Sequence, residues 1–341
     1  MKPPMNLKEL SQHLGLSMTT VSRALGGYPE VSERTRAKVV EAARAFGYRA
    51  NPNARRLASG KAEAIGMVLP LPPGNFGDPY FAELLAGIGE RLQEADIDFM
   101  VTAVPAGAGE IEAYQRVVGS RRVDALIVGR TRRHDPRIEY LLDHDFPFIA
   151  HGRTETDRPY AWVDVDNEQA FLLATQRLIE LGHRRIALVN DPLELNFAYL
   201  RQCGYERALT LADIAIDPAI VVEGDMYEES GHRLVTELLS ADEPPTAILC
   251  ADVLAAVEAL RVIKAKGLEV GKDISVIAYD DLLRGKYTDP PLTALHQPIR
   301  PTGVILAEKL LLLMSGTPVQ DLQELWTPEL IVRDSDGPCG T

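Results

Sequence analysis

The sequence predicts an α/β protein in two unequal parts: a three-helix N-terminal module, then a larger body of doubly wound parallel sheet. Two observations carry this. Within residues 1–61, eleven Lys or Arg face four Glu, a surplus of +7; the 341-residue chain totals −13, so the remainder carries −20. Beyond residue 62, short apolar runs alternate with helical periodicity, the pattern of parallel strands with helices over both faces. A basic segment on an acidic body points to a polyanion met by the head alone.

In the head, Asn6 opens a helix to about Leu14, with Glu9 as its capping partner and Gly15 as its stop. Ser17 caps a second helix, about Met18 to Leu25. The tight link Leu14-Gly15-Leu16-Ser17 is what a helix-turn-helix needs: Gly for the bend, a buried Leu, then a cap. Ser32 caps a third, about Glu33 to Phe46, whose Val39, Val40, Ala43 and Phe46 share one face. Next, Asn51 (cap), Pro52 (first turn) and Gly60 (stop) punctuate a short helix. Alone, a helix of under ~12 residues is marginal in water.

Composition limits the alternatives. At 46% hydrophobic and 25% charged, the chain is an ordinary globular protein, which excludes disorder, collagen and coiled coil as whole-chain descriptions. Apolar runs such as Leu310–Met314 are far shorter than the ~20 residues that span a bilayer. No apolar signal core follows Met1, and the three scattered cysteines (Cys203, Cys250, Cys339) imply no disulfide framework. No membrane contact and a cytoplasmic location are expected.

The run Leu7 to Ser17, then Thr19-Thr20-Val21-Ser22-Arg23-Ala24-Leu25, Val31 to Arg36 and Gly47 to Asn51, resembles the headpiece of LacI/GalR-family transcription regulators. The likeness extends over nearly the whole chain. It implies that the second helix enters the major groove of double-stranded, pseudo-palindromic operator DNA, bound by a homodimer. Met18, Thr19 and Arg23 match the base readers. Arg suits guanine, Thr donates or accepts, and Met offers apolar contact. Ser17, Thr20, Ser22, Ser32 and Thr35 are phosphate positioners or caps. Gly26 stands where the family often has Asn. In the hinge, the likeness implies minor-groove contact by Asn51, Ala54 and Arg55, with Leu57 as the wedge that kinks the duplex.

In the body, Ile65–Leu69, Phe99–Val101, Ala125–Val128 and Phe146–Ala150 read as one set of strands, and Arg185–Val189, Ala247–Cys250 and Ile274–Ala278 as a second. Two sets imply two lobes. The resemblance implies a periplasmic-binding-protein-like core with a ligand cleft between them. The expected organisation is a headpiece over 1–50, a hinge over 51–61, an effector-binding and dimerisation core over 62–335, and a tail over 336–341. Within the core, lobe 1 spans 62–163 plus 297–325, and lobe 2 spans 164–294 plus 326–335.

Ligands of open α/β sheets bind beyond the carboxyl ends of the strands, where this sequence is rich in aromatic, carboxylate and guanidinium groups. Rings cover sugar CH faces while carboxylates and guanidinium take hydroxyls. Matched to the family pattern, Tyr80, Phe81, His151, Arg153, Asp166, Asn196, Arg201, Met226, Asp252 and Asp280 are effector-site candidates. Asp166 and Asp252 equally suit helix caps, and His151 with Arg153 a surface turn. Leu195 and Met226 depart from the residues of purine-responsive relatives, so a sugar is favoured over a purine or nucleoside. Pro147–Arg153 with Trp162 and Asp164–Asn167 resembles regulators of α-glucoside uptake.

Other chemistries lack anchors. Neither H-x3-H nor C-x2-C spacing occurs, G-x-S-x-G is missing, and Gly267–Lys272 is one residue short of a phosphate-binding loop. The expectation is a sugar-responsive repressor with no metal, no cofactor and no enzymatic turnover. A transport-type sugar-binding protein is the competing class, disfavoured by the head.

Overall fold

The structure, a computed structural model, describes residues 5–26, 28–48, 60–70, 79–105, 109–224, 228–281 and 283–340. It forms two compact units, 1–62 and 63–341.

In the first unit, α1 (Leu7–Leu14) starts with a reciprocal capping box. The Asn6 N–H donates to Glu9 (2.9 Å) and the Glu9 N–H to the Asn6 side chain (3.0 Å). Gly15, at φ 66°, supplies the left-handed turn that few other residues adopt. Then α2 (Met18–Leu25) and α3 (Glu33–Ala45) begin at caps formed by Ser17 and Ser32. Leu10, Val21, Ala24, Val31, Val39 and Ala43 make the core. Phe46 does not join them. It ends α3 as its C-cap, 39% exposed, edge-on to the His13 ring.

The second unit holds two sheets. The first lobe contains β1 (Ala64–Pro70), α4 (Pro79–Glu94), β2 (Asp98–Val104), α5 (Glu110–Ser120), β3 (Ala125–Val128), α6 (Pro136–Asp143), β4 (Phe148–His151) and β5 (Ala161–Val165). The second contains α7 (Asn167–Glu180), β6 (Ile186–Asn190), α8 (Asn196–Leu211), β7 (Val221–Glu223), α9 (Glu228–Leu238), β8 (Ala247–Cys250), α10 (Val253–Ala265), β9 (Ser275–Tyr279), the single turn α11 (Leu283–Lys286) and β10 (Thr293–His296). The chain then returns to lobe 1 as α12 (Ile299–Met314) and β11 (Gln323–Trp326), and ends in lobe 2 with β12 (Glu329–Ile331). Sheet orders are β11-β5-β4-β3-β1-β2 and β12-β10-β9-β8-β6-β7. All neighbours run parallel except β12, which is antiparallel to β10.

Central strands such as β3, β6 and β9 are buried throughout, as parallel strands covered on both faces must be. Two apolar clusters flank the second sheet, and one lies with α4 and α12 on the first. Where α4 crosses α12, Gly87 and Gly303 lie so near the partner helix backbone that a Cβ would collide with the carbonyls of Arg300 and Leu84.

Two boundaries shift. β5 runs to Val165 and β11 to Trp326, paired with each other, so lobe 1 extends slightly beyond its expected ends. Residues 336–339 are no loose tail. Asp336 is buried against Arg177 (2.8 Å) and Thr293, the Gly337 N–H donates to Ser275 (3.0 Å), and the Cys339 N–H to the Leu181 carbonyl (2.8 Å).

Candidate functional site

Two sites emerge, one in each unit. In the head, burying Val21 and Ala24 leaves the other side of α2 open. Met18, Thr19, Ser22 and Arg23 are all exposed, as pairs four residues apart on one face. Ser17 and Ser32 receive the N–H groups of Thr20 (3.0 Å) and Thr35 (3.3 Å), and each serine hydroxyl also meets the matching threonine hydroxyl. These four thus hold the helix starts rigid, with both serines exposed. Asn51, Ala54, Arg55 and Leu57 lie outside the described residues, as does Met226.

In the second unit, a cleft of about 940 Å³, counting its open mouth, lies between the lobes at the strand ends. Tyr80 and Phe81 enter it from the first turn of α4. Tyr80 Oη lies 3.1 Å from His151 Nδ1 at the end of β4. Burial pushes His151 down to about 4, so near neutral pH the imidazole is uncharged and can both donate and accept. Arg130, after β3, has a left-handed backbone (φ 50°) and stands over the Phe81 ring at 4.6 Å.

From lobe 2, Arg201 on α8 is 6% exposed. Its Nε donates to Asn167 (2.9 Å); its Nη1 donates to the Ala251 carbonyl (2.8 Å) and reaches Asp191 at 3.3 Å. Tyr279, Phe197 and Phe171 surround the guanidinium at 3.7, 4.6 and 5.6 Å. Asp252 lines the cleft and also caps α10 through the Ala255 N–H (2.8 Å). Asp280, at φ 70°, accepts from Gln297. Burial and the charge of Asp252 push Asp191 up to about 7, against the pull of Arg201 and Arg130.

Three candidates sit elsewhere. Asp166 is the α7 cap, accepting from the Gln169 N–H at 3.0 Å, and does not line the cleft. Arg153 touches the cleft only through Asp164, which it binds at 2.8 Å. Asn196 is buried beside the cleft, its N–H donating to the Thr131 carbonyl (2.9 Å), and Phe197 takes the wall position. Arg130, Asp164, Asn167, Tyr279 and Gln297 line the cleft without being effector-site candidates in the sequence, and Asp191 joins them from the polar run after Val189. Most directly end or follow a strand, the signal that would have found them.

Residues 6–51 match the bacterial regulatory proteins of the lacI family, and residues 175–335 the periplasmic binding protein-like domain. The HTH-type transcriptional regulator AglR of Rhizobium meliloti (strain 1021) is 44% identical, over 98% of this chain and 95% of its own length. This chain belongs to the LacI family of bacterial transcriptional regulators. RafR of Escherichia coli, another HTH-type transcriptional regulator, is 36% identical over 95% of this chain and 96% of its own. Among solved structures, the lac repressor dimer bound to operator and the anti-inducer ONPF aligns with TM-score 0.84 at 27% identity, covering 98% of this chain and 100% of that one. A complex of the transcriptional regulator CelR with cellobiose aligns with TM-score 0.74 at 29% identity, over 97% and 99% of the two chains. The function is therefore DNA-binding transcriptional regulation and not catalysis. As a LacI-family regulator, the chain carries its DNA-binding motif in residues 6–51, where seven Lys or Arg face four Glu.

Proposed function

We propose that the chain is a homodimeric repressor, acting in the cytoplasm, whose grip on a pseudo-palindromic operator is released when a small neutral saccharide binds the cleft. The carrying observation is the cleft's wall. A guanidinium ringed by three aromatic side chains faces Asp164, Asp191, Asp252 and Asp280. Four carboxylates against Arg130 and Arg201 disfavour an anionic ligand such as a sugar phosphate, whereas rings and carboxylates together suit a polyol. The solved complex of the regulator CelR with cellobiose supports the size class, and the sequence likeness favours an α-glucoside. In the head, Met18, Thr19 and Arg23 read bases, while Ser17, Thr20, Ser22, Ser32 and Thr35 place the helices on phosphates. Leu57 is the hinge wedge, beside Asn51, Ala54 and Arg55. Induction requires the saccharide to favour the DNA-incompetent arrangement.

The test begins with duplexes selected from a random pool by the full chain. Maltose, sucrose, trehalose, melibiose and raffinose, together with glucose 6-phosphate and adenosine, are then screened for thermal stabilisation and operator release. A ligand at 100 times its Kd adds about 2.7 kcal/mol. An α-glucoside that both stabilises the protein and releases the duplex is expected. Stabilisation by sugar phosphates or nucleosides alone would sink the reading.

A further inference from the structure

Between β3 and α6, residues 130–133 carry more interactions than a connection needs. Lobe 1 holds this segment rigidly. Arg137, 1% exposed, donates to the Arg130 carbonyl (2.8 Å) and binds Asp135 and Glu110. The Arg132 N–H donates to the Asp135 carboxylate (3.0 Å), and its guanidinium to Glu110 (2.7 Å). The same segment crosses to lobe 2. The Arg133 N–H donates to the Glu194 carbonyl (3.0 Å), and the Thr131 carbonyl accepts from Asn196, an isolated antiparallel bridge between the lobes. The Arg133 guanidinium lies 3.8 Å from the Tyr199 ring centre while its Nε donates to Glu155.

Arg130 is the member of this segment that faces the cleft. Its left-handed backbone is a conformation that a non-glycine residue keeps only when its surroundings impose it. Asp191 lines the same cleft from lobe 2, a few residues before the bridge at Glu194–Asn196.

We propose that residues 130–133 are a clasp between the lobes, and that its cleft-facing arginine, Arg130, engages Asp191 inside the cleft, where an effector must meet both. The proposal rests on reading the cleft as the effector site, but its test needs no effector, so the two can fail separately.

The charges around Asp191 decide the sign of that test. Arg201 and Arg130 favour its ionised form; Asp252 and Asp280 oppose it, as does burial, and the carboxyl is held up to about 7. Asp164, tied to Arg153, neutral His151 and the phenols of Tyr80 and Tyr279 complete the titratable lining that the site brings to bear. A carboxyl raised above its unfolded value contributes stability at low pH that is lost as pH rises through about 7. A cation facing it offsets that loss, and only where the carboxyl is ionised.

Arg130→Asn tests this, because asparagine tolerates left-handed backbone. In thermal denaturation of the full chain, the substitution is expected to cost at least ~2 °C more at pH 8 than at pH 5.5. In an Asp191→Asn background the cost should be the same at both pH values. Arg130→Lys, which keeps the charge, should restore most of the pH-dependent part. Equal costs at the two pH values in the wild-type background, or an unchanged pH dependence after Asp191→Asn, would overturn the proposal.

Discussion

Arg201 shows how much one side chain carries. Its fork satisfies Asn167, Asp191 and the Ala251 carbonyl while its face fills an aromatic cage. An ammonium has neither the fork nor the flat face. Arg201→Lys should therefore lower stability by about 1–3 kcal/mol, the cost of leaving buried acceptors without donors. It should also weaken effector response at least tenfold while operator binding persists. Urea unfolding and sugar-dependent release of operator measure the two, and intact response would remove Arg201 from the site. Residue type and strand-end position made Arg201, Asp252 and Asp280 legible. Asn196 lies beside the cleft and not on its wall, a distinction that spacing hides because it does not state which way a helix faces. Phe197 and Arg201, four apart, share the side of α8 that meets the cleft, and Asn196 lies about a quarter turn away. Asp166 lies just past its strand end like the others, but its carboxylate is spent on the cap.

At the scale of elements, caps and apolar runs marked most boundaries, because each is a local property of a few residues. Helix crossings are not local, and there the sequence was opaque. Gly87 and Gly89 look alike in the string Gly87-Ile88-Gly89, yet only Gly87 abuts the backbone of α12, while Gly89 has open space around it. Gly87→Val is expected to destabilise by ~1–3 kcal/mol through overpacking. Gly89→Ala should stabilise by ~0.5–1 kcal/mol, the helical preference of Ala over Gly. Denaturant midpoints of the two variants check the contrast, and similar shifts would refute the crossing argument. The stitched segment after the final strand was equally hidden. Its partners, Thr293, Ser275 and Arg177, lie far away along the chain.

For the whole molecule, the charge split makes a prediction about salt. Lys and Arg of the head are expected to displace counterions from DNA, while the net charge of the acidic body repels phosphate. Raising salt from 50 to 200 mM should weaken operator binding by orders of magnitude, ~10³–10⁵-fold if six to ten phosphates are met. Fluorescence anisotropy on a labelled duplex measures the slope, and a flat response would contradict the head's assigned role. The route of the chain has a different consequence, for synthesis. The head's core closes within residues 5–48, so it can fold while most of the protein is still being made. Neither lobe of the body shares that freedom. Lobe 1 waits for α12 and β11, and lobe 2 for β12 and the segment ending at Cys339. At ~5–20 residues per second, a ribosome needs many seconds to pass from the head to residue 339. During that interval a folded DNA-binding module hangs from an unfinished body that cannot yet respond to any ligand.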